Sequence, residues 1–223
     1  MLDASRDRIL RELPDDALVL DIGGWGKPFP RADWVVDVKD YATRGLYGSE
    51  PAGEERFSAD TWVQRDICAA EPLPFEDEQF DFVVCSHTLE DVRDPIRVCA
   101  EIMRVGKAGY IETPSRLEEL SWDVHGPWVG WSHHHWLVEV SDARIEFVFK
   151  PHVVHGRATH HFPEGFWETL APEECVETLW WQREFECHER LMADAPELDA
   201  YVSGFVAAAI ERRGFKPPRR WLR

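Results

Sequence analysis

Two groups of residues in this chain have types and spacings that can do chemistry. The first is Asp21-Ile22-Gly23-Gly24-Trp25-Gly26, with Asp37 eleven residues further on. Glycine permits positive φ and lets a ligand approach the backbone closely. A carboxylate at position 37 can accept hydrogen bonds from both hydroxyls of a ribose. A glycine-rich turn followed by such an acid is a general arrangement for holding a nucleoside cofactor. The turn lacks the G-x-G-x-x-G spacing that seats a pyrophosphate on a helix N-terminus, which disfavours a nicotinamide dinucleotide.

The second group is Trp131-Ser132-His133-His134-His135-Trp136. Eight of the ten histidines lie between His125 and His161, and Trp122, Trp128, Trp131 and Trp136 crowd the same stretch. Three uses compete for it. One or two histidines could line an acceptor pocket, with one of His133, His134 and His135 acting as a base. On an extended chain His133 and His135 point one way and His134 the other. That His-x-His spacing suits zinc, nickel or iron. His133, His135 and Glu139 even mimic half of a cupin signature, without its flanking glycine or second motif. The third use is structural, with hydrogen-bonded rings on the surface and in the core.

Elements must exist to position these groups. Residues 5–13 place Ile9, Leu10 and Leu13 on one helical face, and Pro14 ends the run. Apolar runs at 17–21, 34–37, 61–65, 80–85 and 109–113 read as strands, and the first two close on an acid. A helix over 94–105 opens with Pro95 and shares a face among Ile96, Cys99, Ala100 and Met103. Residues 135–140 and 144–150 form a hairpin around Ser141-Asp142. A last helix over 196–213 carries Leu198, Val202, Phe205, Ala209 and Ile210 on one face. Strands alternating with helices imply an α/β protein with a mostly parallel sheet.

Bulk properties narrow the function. The 223 residues carry a net charge of −17, with 44% hydrophobic content and eleven Trp. The charge argues against a general nucleic-acid binder, which needs a basic surface. No apolar run approaches a membrane span. The charged opening Asp3, Arg6, Asp7 and Arg8 has no signal-peptide pattern. Five cysteines without a C-x-x-C pair suit reduced thiols in a cytoplasm. The basic end Arg212–Arg223 would neutralise the acidic body, across a homodimer if one forms.

The segments LVLDIGGWGKPFPRADWVVD (18–37) and RDICAAEPLPFEDEQFDFVVCSHTLEDVRDPIRVCAEIMRVGKAGYIETPS (65–115) resemble the class I S-adenosylmethionine-dependent methyltransferases, particularly the small type 11 group. This chain departs from the group's pattern at Trp25 and Lys27-Pro28. It also has Leu89-Glu90-Asp91 where Leu-Glu-His is common. The resemblance implies a three-layer α-β-α Rossmann-like fold, a seven-stranded mostly parallel sheet and a C-terminal cap. It implies one domain over 1–223, with a cofactor-binding core at 1–115 and sheet completion plus acceptor cap at 116–223.

The resemblance also implies cofactor roles. Asp21, Gly23, Gly24 and Gly26 form the turn beside the methionine part of S-adenosylmethionine. Asp37 faces the ribose, Asp66 and Ile67 the adenine, and Ser86 and His87 the methionine moiety. Methyl transfer to a small-molecule acceptor follows, chiefly at oxygen and with a histidine base, leaving S-adenosylhomocysteine. The alternatives are a metal-dependent enzyme centred on His133 and His135, and a non-catalytic cofactor-binding protein.

Overall fold

The computed structural model describes residues 1–45 and 54–216. The basic stretch 217–223 therefore lies outside the described residues, as does 46–53. The chain divides into two compact units. The first comprises Met1–Thr113, Val140–Ile145 and Thr178–Cys187, and the second Pro114–Glu139, Glu146–Glu177 and His188–Arg223.

In the first unit, α1 (Asp3–Glu12) precedes β1 (Val19–Ile22), β2 (Trp34–Asp37), β3 (Trp62–Gln64) and β4 (Phe82–Ser86). Helix α2 (Pro95–Val105) and β5 (Ala108–Pro114) follow. With β8 (Val176–Gln182) these strands form a six-stranded sheet in the order β3-β2-β1-β4-β5-β8. The pairs β2·β3, β1·β2, β1·β4 and β4·β5 are all parallel. Every residue of β1 is buried, which is why it reads as a continuous apolar run rather than an alternating one.

Ile9, Val19, Phe29, Val35, Trp62, Phe82, Val84 and Tyr110 share one core cluster. In α2 the buried face is Val98, Cys99, Ile102 and Val105, while Ala100 is exposed. The Val98, Ile102, Val105 series runs at i, i+4 and i+7 with branched side chains. It displaces the Ile96, Ala100 and Met103 face expected above. Asp94 caps this helix by accepting the Arg97 N–H at 3.0 Å, with Pro95 in its first turn.

Among the described residues the sheet has six strands, where seven were expected. The expected hairpin is present as β6 (Trp136–Ser141) and β7 (Arg144–Phe149), with Asp142 at φ 48° in its turn. It joins β9 (Glu186–Glu189) in a separate three-stranded sheet, ordered β6-β7-β9, and does not extend the larger one.

The second unit also contains α3 (Arg116–Glu119) and α4 (Ala195–Arg213). Its core gathers Leu120, Val129, Leu137, Val148, Phe162, Phe166, Val202, Val206 and Ala209. Asp194 caps α4 at one end, and Gly214, in the left-handed region, closes the other. No helix among the described residues is long and apolar enough to cross a membrane.

Candidate functional site

Strand order fixes where a ligand can sit in the first unit. From β1 the chain runs outward to β2 and β3, then returns to lay β4 on the other side of β1. The crevice beyond the carboxyl ends of β1 and β4 is the switch point of an open α/β sheet, where ligands bind. Three expected groups border it: the turn after β1, the acid ending β2, and the turn after β4.

The first turn is built by acids as much as by glycines. Gly23 has φ +78° and its N–H donates to Val36 O at 2.8 Å. A Cβ on Gly23 would lie 2.1 Å from Thr88 Oγ1, and one on Gly24 would lie 2.3 Å from Asp21 Oδ2. Asp21 is buried, and its Oδ2 accepts the Phe29 N–H at 2.8 Å. Burial raises its carboxyl to about 7, against the opposing pull of that bond. Asp21 therefore holds the loop. Gly26 is half-buried within the same turn.

Asp37 Oδ2 accepts the Trp25 N–H at 3.1 Å and Oδ1 the Lys39 N–H at 2.8 Å. Burial raises its pKa, with those two amides opposing. Each oxygen has two lone pairs and one of these bonds, so acceptor capacity remains for a hydroxyl donor. Asp66 is more open, 43% exposed, and pairs with Arg93 at 2.7 Å. Its other oxygen accepts the Cys68 N–H, and the Arg93 bond lowers its pKa. Ile67 beside it is half-buried. Both carboxylates are acceptors, the complement needed for ribose hydroxyls and an adenine amino group.

After β4, Ser86 and His87 meet a carboxylate that sequence reasoning missed. Glu112, fully buried in β5, accepts from Ser86 Oγ (3.3 Å), from the Leu2 N–H (2.9 Å) and from Tyr110 Oη. His87 Nε2 lies 3.0 Å from Glu112 Oε1, and its Nδ1 lies 3.6 Å from Glu90 Oε1. Glu90 is also fully buried. Burial opposes a charge on His87, yet bonds to Glu112 and Glu90 raise its pKa to about 9. Burial likewise opposes ionised Glu112, but His87 and the other donors bring it down to about 2. The backbone of His87 is left-handed, φ 53°. An acid inside the apolar run Tyr110-Ile111-Glu112-Thr113 was the available signal.

A pH dependence follows. The raised histidine stabilises fully below its ordinary 6.5, and that contribution fades as pH rises through 9. The depressed glutamate stabilises fully above its ordinary 4.5, with loss as pH falls through 2. Melting temperature should therefore decline above pH 6.5. His87→Asn, which tolerates the left-handed backbone, should flatten that alkaline limb. The expected size is about 1–2 kcal/mol, discounted because the ring is partly exposed.

The histidine segment belongs to the second unit, and its geometry departs from a strand. Residues 132–133 turn, and β6 begins only at Trp136. His133 and His135 therefore do not form a strand pair of ligands. Glu139 accepts from Tyr201 Oη at 2.5 Å and pairs with Arg116 at 2.8 Å, which removes it from any cupin-like set. His135 is exposed, and its carbonyl accepts the Lys150 N–H at 2.8 Å.

His134 is the histidine with a built environment. Its Nδ1 lies 2.6 Å from Oε1 of Glu119, a fully buried carboxylate in α3. Lys150 Nζ holds the other oxygen at 2.7 Å and also donates to Trp131 O at 3.1 Å. Burial opposes ionised Glu119, but His134 and Lys150 keep its pKa below the usual range. An ionised carboxylate only accepts, so the proton between them sits on Nδ1 of His134. The Trp131 ring stacks on His134 (5.6 Å) and on His125 (4.8 Å), and its Nε1–H donates to Glu118 at 2.8 Å. His133 packs edge-on to His134, with ring centres 4.7 Å apart.

Three further histidines of this stretch have structural partners. His155 Nδ1 accepts the Val129 N–H, and burial lowers its pKa. His160 is buried against Asp199 at 2.6 Å. His161 bonds Phe162 O and packs on Trp122.

Residues 40–111 match a family model described as a methyltransferase domain. That span holds β3, β4, α2 and the first part of β5. No curated protein matches the chain. Among solved structures it is similar to the cyclase SpnF, at 22% identity over 51% of this chain and 46% of that one, TM-score 0.39. It is similar to the YcgJ protein from Bacillus subtilis, at 22% identity over 51% and 52%, TM-score 0.38. A methyltransferase from Aquifex aeolicus gives 17% identity over 55% and 69%, TM-score 0.39. The chain spans about half the length of the first solved structures that it matches.

Proposed function

We propose that this chain, whose residues 40–111 match a methyltransferase domain, transfers a methyl group from S-adenosylmethionine to a hydroxyl of a small-molecule acceptor. The observation that carries the reading is where the family match falls. It covers β4 and the start of β5, strands whose ends flank the switch-point crevice. S-adenosylmethionine supplies an already activated methyl group on a sulfonium, so the protein's tasks are binding, alignment and exclusion of water.

Gly23, Gly24 and Gly26 hold the methionine part with Ser86 and His87 beside it. Asp37 accepts from the ribose, and Asp66 with Ile67 receives the adenine. Asp21 supports this set by fixing the turn through Phe29. The reading treats residues 1–223 as one functional domain with an acceptor cap after residue 115.

Of the three candidate bases, His134 has what base catalysis needs. Its Nδ1–H is held by the ionised Glu119, which orients the ring and stabilises the imidazolium that taking up the acceptor's hydroxyl proton would form. Titration of the purified protein with S-adenosylmethionine tests the cofactor assignment. Saturable binding that is weakened about tenfold or more by Asp37→Ala is expected, that being the scale of a lost charged hydrogen bond. Absence of binding to the wild type would sink the reading.

A further inference from the structure

We propose that Trp25 is the positioning residue of the ribose subsite: it locks the segment 37–45 against the glycine turn and so aims the Asp37 carboxylate at the hydroxyls of the cofactor. The proposal rests on the S-adenosylmethionine reading given above, which leaves Trp25 without a role. Trp25 is also a position at which the chain departs from the pattern it resembles.

Between Ile22 and Lys27, Trp25 is the only residue with a side chain, so it alone can tie down this turn by side-chain contacts. Three of its polar groups reach the segment that follows β2. Its backbone N–H donates to Asp37 Oδ2 at 3.1 Å, and its carbonyl accepts the Gly45 N–H at 2.9 Å. Its indole Nε1–H donates to Thr43 O at 2.9 Å and lies 3.0 Å from Thr43 Oγ1. Lys39 Nζ lies over the ring, 5.3 Å from its centre. The ring is half-buried and packs on the core cluster that contains Val35 and Trp62.

The two oxygens of Asp37 depend on this latch unequally. Oδ1 takes the Lys39 N–H, two residues along the chain, at 2.8 Å. Oδ2 takes the Trp25 N–H, which comes from the turn. A second tryptophan holds the segment from its other side: Trp62 Nε1–H donates to Lys39 O at 2.9 Å, and Gln64 Nε2 donates to Val38 O at 3.2 Å. The segment therefore stays in place when the Thr43 bond is lost. The turn does not, because glycines on both sides of Trp25 leave it conformationally free. The Trp25 N–H then leaves Oδ2, and the carboxylate loses the contact that orients it. A ribose diol needs that orientation, so the cost falls on ligands that carry the two hydroxyls.

Calorimetric titration of the full chain with S-adenosylhomocysteine and with its 2′,3′-dideoxy analogue tests this. Trp25→Phe keeps an aromatic ring and removes the indole donor. It is expected to weaken S-adenosylhomocysteine about three- to tenfold, the scale of one hydrogen bond, and to leave the dideoxy analogue at its wild-type affinity. In an Asp37→Ala background the same substitution should change neither affinity, because two changes acting through one contact do not add. Equal weakening of both ligands, or losses that add to those of Asp37→Ala, would make Trp25 a general support of the fold and overturn the proposal. A second measurement needs no variant. Coupling is reciprocal, so in the wild type the Trp25 indole N–H should exchange with solvent more slowly under bound S-adenosylhomocysteine than under the dideoxy analogue. Equal exchange overturns the proposal. If the wild type binds neither ligand, the cofactor reading falls and this one with it; wild-type binding that Trp25→Phe leaves unchanged sinks this one alone.

Discussion

His134→Ala is expected to lower kcat by roughly 10²–10⁴, the usual contribution of a positioned general base, and to leave the affinity for S-adenosylmethionine unchanged. The two readouts separate because His134 belongs to the unit that does not contain Gly23, Asp37 and Asp66. His133→Ala and His135→Ala should cost far less, since the 2.6 Å bond to the buried Glu119 is made by His134. Glu119→Gln should retain part of the effect, because an amide oxygen can still accept from Nδ1 but carries no charge. Steady-state kinetics with an active acceptor, alongside cofactor titration, checks all four variants. Equal loss in His134→Ala and His135→Ala would refute the assignment.

The strands that position the glycine turn were legible because their signal is local. Val19–Ile22 and Phe82–Ser86 are buried almost throughout, so the runs 17–21 and 80–85 read as apolar segments, the first closing on Asp21. The helix over 195–213 was equally plain from the spacing of Leu198, Val202, Phe205, Ala209 and Ile210, of which Val202 and Ala209 are buried. Strand β8 was missed although Leu179 and Trp181 alternate inward, because Glu177 and Gln182 dilute the run. Strand β9, Glu-Cys-His-Glu, has no apolar signal at all.

The histidine segment shows a different limit. Its residue types were visible, but a turn at 132–133 replaced the extended backbone assumed for His133 and His135. Which histidine of the segment sits on a buried carboxylate is set by Glu119 and Lys150, fifteen and sixteen positions away from His134 in opposite directions. No periodicity links such partners. Glu112 has the same character: only burial among apolar neighbours marks it, and its donors come from Leu2, Ser86, His87 and Tyr110. Nonlocal carboxylates are the part of a site that a single sequence hides.

The same buried carboxylate should dominate stability. Glu119→Leu leaves the Lys150 ammonium buried with one carbonyl partner, Trp131 O. Stranding one member of a buried ion pair costs about 3–5 kcal/mol. Lys150→Met is the milder change, because Glu119 keeps His134 as a partner. Desolvation had already offset much of the pair's attraction, so a double replacement with apolar side chains should regain most of the loss. Urea unfolding of the two single variants and Glu119→Leu/Lys150→Met provides the double-mutant cycle. A coupling energy near zero would show that the two groups do not stabilise one another. A large coupling with restored stability but absent turnover would separate the two duties of Glu119, holding Lys150 in the core and orienting the ring of His134.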